Sequence, residues 1–255
     1  MNPHILASLA VLVGTPLLTI ASYITARRVL APAVSTDTSE MAASIAFRIA
    51  AFHGLMISLV FAGVVQTFQD VRGQLIVEAT ALSEIFADLE FFEGEAGTSV
   101  RDTLKQYVAT VIAEEWPGLA NGTAPADQAW RIHREMRKSI LNLPVNTTTQ
   151  SQIKRALDER VREVSSARHA RWHMRSLSLP LVFWIAAFGG LVFVSISFFV
   201  YQPSGVNLLL LTLYGSYTGI ALAVIFALSK PFAPPASMSP LALQDLILLQ
   251  EHAAP

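Results

Sequence analysis

Four long runs of apolar residues dominate the hydropathy pattern of the chain. They cover about Ile5 to Ile24, Ile49 to Phe68, Leu177 to Tyr201 and Val206 to Leu228. Each run supplies roughly the 20 residues that a helix needs to cross a hydrocarbon core about 30 Å thick. A helix also satisfies its own backbone hydrogen bonds in lipid, which an isolated strand does not. The pattern therefore predicts four transmembrane helices.

A polar segment from about Gln69 to Arg175 separates the second run from the third. Its apolar residues recur every three or four positions, as they do on the buried face of a helix. The second span is predicted to continue as a helix to Phe92, and Pro117 is predicted to end the helix that follows. A last helix begins near Thr149 and, with no breaker before Pro180, is expected to run directly into the third span. The segment is therefore predicted to be a helical insert.

These elements together predict an all-α integral membrane protein with a helical soluble insert between spans 2 and 3. The predicted organisation is spans 1 and 2 at residues 1–68, a cytoplasmic insert at 69–175, spans 3 and 4 at 176–229, and a Pro-rich tail with a short helix at 230–255. A hydrophobic content of 53%, a charged content of 15% and a mean hydropathy of +0.47 lie outside the range of soluble domains. The absence of cysteine excludes disulfides and thiolate chemistry.

No motif in the sequence predicts enzymatic chemistry, since a P-loop, a dinucleotide glycine fingerprint, an HExxH pair and a nucleophile elbow are all absent. His169 and His173 share one helical face at i and i+4, but two ligands do not complete a metal site. The neighbouring arginines also oppose a divalent cation. We therefore expect no catalytic residue, no metal site, no cofactor and no nucleic-acid partner.

The distribution of basic residues predicts the orientation in the membrane. An even number of spans places the insert and both termini on one side. That side carries five basic residues close to the predicted membrane ends, namely Arg72, Arg168, Arg171, Arg175 and Lys230. The opposite side carries Arg27 and Arg28 and an uncharged turn between spans 3 and 4. Because Lys and Arg are enriched on the cytoplasmic side, the insert and both termini are predicted to be cytoplasmic in a multi-pass plasma-membrane protein.

The second run contains small residues at every fourth position. This helix-packing stripe consists of Ala46, Ala50, Gly54, Ser58 and Ala62. Small residues let helices approach closely, so the stripe predicts tight packing within a bundle or between subunits. The alternative is a pore-lining face with little side-chain bulk.

The same run contains the candidates for a pore or constriction. His53 lies deep in the span, where an ionisable group is costly, and it is either a buried hydrogen-bonded residue or a lining residue of a polar path. Phe52, Met56 and Phe61 provide a dewetting constriction if this helix lines a pore. Apolar residues are expected in any spanning helix, so the pore-lining role is the sharper of two interpretations.

Charged residues cluster at two further places. Arg168, Arg171 and Arg175 surround Trp172 ahead of the third span, and they are interpreted as an interfacial basic belt that meets lipid phosphates. The alternative for this group is an anion-attracting vestibule. Acidic residues gather at Glu78, Glu84, Asp88, Glu90, Glu93, Glu95, Glu114 and Glu115. A solvated helix face explains most of these acidic residues, and a cation-attracting rim is the alternative.

The sequence also resembles the bacterial bestrophin-like family over most of residues 45 to 245. The residues that carry the resemblance are Val77-Glu78-Ala79, Leu82, Tyr107, Val111, Glu115-Trp116-Pro117, Arg168, Arg171, Leu179-Pro180, Lys230-Pro231-Phe232 and Ser239-Pro240. The resemblance implies four spans with a cytosolic helical insert in a bacterial inner membrane. Bestrophins proper are pentameric ion channels with the second span around the axis and an apolar neck, which implies Phe52, Met56 and Phe61 as the region to test.

The resemblance does not extend to a calcium site. Bestrophins that respond to calcium bind it through acidic residues beyond the fourth span, whereas this chain has only Asp245 and Glu251 after Lys230. We therefore expect no calcium clasp.

The leading hypothesis is a homo-oligomer, with five subunits implied by the resemblance, that conducts small monovalent ions along a path lined by the second span. Its partners are then the lipid bilayer, other copies of itself and the permeant ions. The competing hypothesis is a membrane-anchored scaffold or sensor whose helical insert binds a partner. A carrier is less favoured because no inverted repeat is present. Substitutions at Phe52 and His53 are expected to change conductance in a channel, and stability alone in a scaffold.

Overall fold

The long apolar runs form the helices that the hydropathy pattern predicts. The structure, a computed structural model, describes residues 2–30, 35–123, 127–175 and 179–252. Within these residues, four helices are long and apolar enough to cross a membrane: α1 (Pro3–Leu30), α2 (Thr36–Asp88), α7 (Leu181–Ser197) and α8 (Gly205–Leu228). The predicted all-α class with four spans is confirmed.

The remaining helices are more polar. They are α3 (Glu95–Thr110), α4 (Trp116–Asn121), α5 (Asp127–Leu141), α6 (Thr148–His173) and α9 (Leu241–His252). A 3-10 turn at Leu89–Phe91 follows α2, and a second at Phe198–Val200 follows α7. The Thr147 hydroxyl accepts a hydrogen bond from the Gln150 backbone N–H at 3.1 Å and caps α6, because the first N–H groups of a helix have no partner within it.

The chain folds into two compact units. The membrane unit comprises residues 1–66 and 177–229, and the insert unit comprises residues 67–176 and 230–255. The boundary at residue 66 falls inside α2, so this one helix contributes to both units. The predicted continuation of the second span into the insert is confirmed, because α2 ends only at Asp88.

In the membrane unit, α8 packs against α1 through residues without bulk. A Cβ atom added to Gly219 would lie 2.0 Å from the Thr15 hydroxyl oxygen, and one added to Gly215 would lie 2.6 Å from that of Thr19. Both threonines are fully buried. Each hydroxyl donates to a carbonyl four residues earlier in α1, so no hydroxyl is left unpaired by the close approach.

The core of the insert unit is one continuous apolar cluster. Helices α2, α3, α5 and α6 contribute fully buried side chains to it, among them Leu82, Leu104, Met136 and Leu157. The tail helix α9 adds Leu243 and Leu246, which are 3% and 5% exposed. The C-terminal segment therefore belongs to the insert unit.

Two predicted helix boundaries are wrong. Pro117 does not end a helix. A π-helical turn at Val111–Glu115 widens the helix just before the proline ring, and Pro117 then lies in the first turn of α4. A first-turn proline needs no backbone N–H. Helix α6 does not run into the third span either. It ends at His173, and α7 begins at Leu181 after Pro180, whose ring disfavours a helical residue before it.

Candidate functional site

Helix α2 buries one face within the membrane unit. His53, Ile57 and Val64 are 6%, 8% and 5% exposed, and their spacing of four and seven residues places them on one side of the helix. The other sides of α2 are exposed in the protomer. The exposed large apolar residues of α2 in the membrane unit are Met41, Ile45, Phe47, Phe52, Leu55, Leu59 and Phe61. A four-span unit therefore leaves much of its second span available to lipid or to another copy.

The small-residue stripe does not stay on one face of α2. Ala46 is 4% exposed and Ala50 is half-buried, whereas Gly54, Ser58 and Ala62 are exposed. The reason is geometric, because four residues advance an α-helix by about 40° more than one full turn. Four such steps carry the stripe from the buried face to the exposed one. Packing within the protomer therefore involves the first two residues, and the last three are available to another surface.

His53 occupies a polar position inside the membrane unit. Its Nε2 lies 2.8 Å from the Ala187 carbonyl oxygen, and its Nδ1 lies 3.2 Å from the Tyr214 hydroxyl. A carbonyl only accepts, so Nε2 carries the proton, and Nδ1 of the neutral ring accepts from the tyrosine. Gly190 makes room for the ring, since a Cβ atom there would lie 2.4 Å from Cδ2 of His53. The side chain is thus buried and hydrogen-bonded in the protomer, and a role in conduction remains a prediction.

The three apolar candidates lie on different sides of α2. Phe52 is 79% exposed and Phe61 is 40% exposed, but their separation of nine positions places the two side chains about 180° apart. Met56 is half-buried and packs against the apolar core of the membrane unit. One constriction therefore includes Phe52 or Phe61 but not both, and each has to be tested separately.

A second cluster of candidate residues lies in the insert unit, where Glu115 accepts hydrogen bonds from three side chains. Arg168 approaches one carboxylate oxygen with Nη2 at 2.6 Å and Nε at 3.1 Å. Arg171 donates to the other oxygen through Nη2 at 2.7 Å, and the Trp172 indole N–H donates to the same oxygen at 2.8 Å. Burial acts to raise the pKa of Glu115, but Arg171 and Arg168 outweigh it and lower that pKa below its usual value.

Glu78 completes this buried charge network. Its carboxylate accepts a hydrogen bond from the Tyr107 hydroxyl at 3.0 Å and forms an ion pair with Arg171. Burial, and then the Glu78 charge, raise the pKa of Tyr107 well above its ordinary value, so its hydroxyl remains a donor. The side chains of all four charged residues, Glu78, Glu115, Arg168 and Arg171, are 0% exposed. Two negative and two positive charges balance, which is the condition under which buried charges are tolerated.

Aromatic rings cover the faces of the two guanidinium groups. The Arg168 guanidinium lies 4.2 Å from the centroid of Trp130, and that of Arg171 lies 5.7 Å from the centroid of Trp116. Such contacts are favourable for a desolvated cation. The π-helical turn places Glu115 towards the arginines while its neighbour Glu114 is exposed. A local π-helix is rare and often occurs at functional positions.

The structure corrects two interpretations of the charged residues. Arg168 and Arg171 do not form part of an interfacial belt, because both side chains are fully buried among carboxylates and aromatic rings. Arg175 is half-buried and stacks on Trp172 at 4.9 Å, and its place in a belt stays a prediction. Glu78 and Glu115 do not lie on a solvated face, since both are buried in ion pairs.

Comparison with known proteins places the fold and the family. The profile of the Bestrophin-like domain matches residues 13–243. The chain is similar to the crystal structure of a bacterial bestrophin homolog from Klebsiella pneumoniae, which carries a point mutation, with a TM-score of 0.63 and 13% sequence identity. That similarity covers 94% of this chain and 97% of the other, and at this identity it shows a shared fold. A comparison with curated proteins gives no significant match. The resemblance seen in the sequence is confirmed, and the chain belongs to the Bestrophin-like family.

Proposed function

We propose that the protein is a bestrophin-like ion channel, in which several copies assemble and conduct small monovalent ions along a path lined by α2. Family membership and the shared fold support this class of function. The single observation that carries the role of α2 is its exposed surface in the protomer. Gly54, Ser58 and Ala62 lie on that surface, and the large side chain of Phe52 projects from it.

One copy of α2 cannot surround an ion path by itself, so the proposed channel requires several protomers. The similarity to bestrophins supports a ring of about five copies with α2 nearest the axis. An apolar side chain at the narrowest point would impede ions by dewetting, and the small residues beside it would leave space for water. We also propose that the protein lies in a bacterial plasma membrane with the insert and both termini in the cytoplasm, which the basic residues near the span ends support.

The test combines native mass with ion flux. The purified protein is first weighed in a mild detergent, and a closed ring of about five copies is expected. It is then reconstituted into liposomes, where flux of monovalent cations and anions is measured against protein-free liposomes. Phe52→Ala and Phe61→Ala are compared separately, because the two side chains lie on opposite sides of α2. Removing the ring at a constriction is expected to raise the flux severalfold.

Phe193→Ala is the matched control. Phe193 is a phenylalanine of α7 that is 60% exposed in the protomer, so the substitution removes the same ring from another spanning helix. Its flux should equal that of the unmodified protein. A monomer or dimer in detergent, or the same flux for all three variants, would reject the α2-lined path and favour a membrane-anchored scaffold.

A further inference from the structure

A cavity of ≈ 430 Å³ opens between α5 and α6 of the insert unit. Its polar lining consists of His133, Arg137, Arg162, Ser165, Ser166 and His169. Two guanidinium groups, two hydroxyls and two imidazoles therefore face one space, and no carboxylate is among the described residues that line it. The volume lies within the range of roughly 300–1,000 Å³ that is typical of small-molecule sites.

His133 lies at the inner wall of this cavity. The residue is 5% exposed. Its Nε2 has no hydrogen-bond partner among the described residues. An unpaired buried nitrogen costs free energy, because it has lost water and gained nothing in return. The Nε2 atom is enclosed by protein atoms, so the cavity offers a ligand its arginine and serine groups and not this nitrogen.

The charges around the cavity favour an anion. Arg137 Nε lies 3.8 Å from an Asp158 carboxylate oxygen, which is too long for a hydrogen bond, and its side chain is 49% exposed. Arg162 pairs with Asp158 through one terminal nitrogen and has further donors available. Burial, followed by the positive charge of Arg168, lowers the pKa of His133 to about 4, and Arg137 and His169 act in the same direction. The same positive field attracts a negatively charged ligand.

We propose that this cavity binds the phosphoryl group of a small phosphorylated anion. The planar guanidinium groups of Arg137 and Arg162 match phosphoryl oxygens in two-point contacts. The hydroxyls of Ser165 and Ser166 donate to the same group. A phosphoryl group presents several oxygens to these donors, which a bare halide does not. The cavity exceeds the volume of inorganic phosphate, so a phosphomonoester with a small organic part fits it better.

Calorimetric titration of the purified full chain in detergent tests this site. Inorganic phosphate and glycerol phosphate are titrated in separate experiments, with sodium chloride at matched ionic strength as the reference. Saturable binding of one equivalent per chain is expected for glycerol phosphate. Tighter binding of glycerol phosphate than of phosphate would assign the site to a phosphomonoester, and equal binding would assign it to free phosphate. Absence of saturable binding for both would overturn the proposal.

Arg137→Gln and Arg134→Gln form a matched pair of variants. Both remove one positive charge from α5, but Arg134 lines a different cavity. Loss of a charge-assisted contact is expected to weaken binding by about tenfold or more for Arg137→Gln. Arg134→Gln should leave the affinity within about twofold, because an exposed charge outside the site contributes little. Equal weakening by both variants would mean unspecific attraction and would overturn the site.

Ser166→Ala keeps the proposal testable if Arg137→Gln fails to fold. Ser166 is exposed on α6, so its hydroxyl is not needed for packing. Removing one neutral hydrogen bond to the phosphoryl group is expected to weaken binding by about two- to tenfold. An unchanged affinity for Ser166→Ala would contradict the assigned contacts.

Discussion

At the residue scale, buried charges occur in phase with the apolar stripes of their helices. Glu78 follows Leu75 by three positions and precedes Leu82 by four, so it points to the same side as both leucines. Arg168 follows Val164 by four positions in the same way. A charged residue at a core position of an amphipathic helix indicates a buried ion pair, because an isolated buried charge is too costly. This signal was present in the sequence, although the interpretation as solvated and interfacial charges missed it.

Glu115→Gln is predicted to destabilise the protein strongly, and Glu114→Gln is its control. Glutamine keeps the size of the side chain but removes the charge that holds Arg168 and Arg171. Breaking a buried pair in this way is expected to lower the free energy of unfolding by roughly 3–5 kcal/mol. Glu114 is exposed, so its substitution should change that free energy by no more than about 0.5 kcal/mol. Chemical unfolding in detergent measures both, and equal stability of the two variants would contradict the network's role.

At the element scale, the spanning helices pack where glycine removes side-chain bulk. Gly215 and Gly219 of α8 are separated by four residues, a spacing that brings helices close together in membranes. The small-residue stripe of α2 is longer than this pair of glycines. Periodicity alone did not distinguish the two, since a strict four-residue stripe rotates around the helix while a single pair of glycines does not.

Gly190→Ala and Gly189→Ala are predicted to differ although they are neighbours in α7. An added methyl at position 190 would lie 2.4 Å from the His53 ring, whereas one at position 189 would meet nothing within 4 Å. Gly190→Ala is therefore expected to displace His53 and to lower the free energy of unfolding by about 1–3 kcal/mol. Gly189→Ala should leave it unchanged or raise it by up to about 1 kcal/mol, since alanine favours helix.

Thermal unfolding of both glycine variants in the same detergent measures this difference. A double variant of Gly190→Ala with His53→Ala serves as the control, because removal of the ring relieves the predicted overlap. Gly190→Ala should therefore cost less stability in the His53→Ala background than in the unmodified protein. Equal losses in the two backgrounds would show that the glycine acts through something other than the His53 ring.

At the scale of the whole molecule, the sequence was sufficient for the spans and insufficient for the partners of its charges. Apolar runs as long as Leu181–Ser197 leave no alternative to a membrane or a large core, so four spans could be predicted. The pairing of Arg171 with Glu78 joins residues 93 positions apart, and periodicity carries no information at that separation. The π-helical turn at Val111–Glu115 likewise has no signature in the apolar spacing, so the sequence predicts a helix end at Pro117 that the structure does not have.

Arg27 shows the same limit for the orientation in the membrane. Counting charges treats it as a free cation opposite the insert, but its guanidinium donates to the Phe199 carbonyl at 2.9 Å and to that of Val200 at 3.2 Å. The arginine therefore stabilises the 3-10 turn at Phe198–Val200 that follows α7, where the last carbonyls of a helical segment lack partners. The cytoplasmic orientation of the insert remains a prediction.

The stability of the fold is predicted to fall as the pH falls from about 6.5 to 4, because of His133. Its pKa is about 4 in the folded protein, against about 6.5 in an unfolded chain. Between these values the unfolded chain takes up a proton that the folded one does not, so acid favours unfolding by up to about 3 kcal/mol. Above pH 6.5 the imidazole is neutral in both the folded and the unfolded protein, and the effect vanishes.

The free energy of unfolding, measured across this pH range, should fall less steeply for His133→Phe, because the substitution removes the titrating group and keeps a ring beside Tyr107. His173→Phe, at an exposed position of α6, should retain the original slope, and parallel curves for His133→Phe and the unmodified protein would refute the assignment.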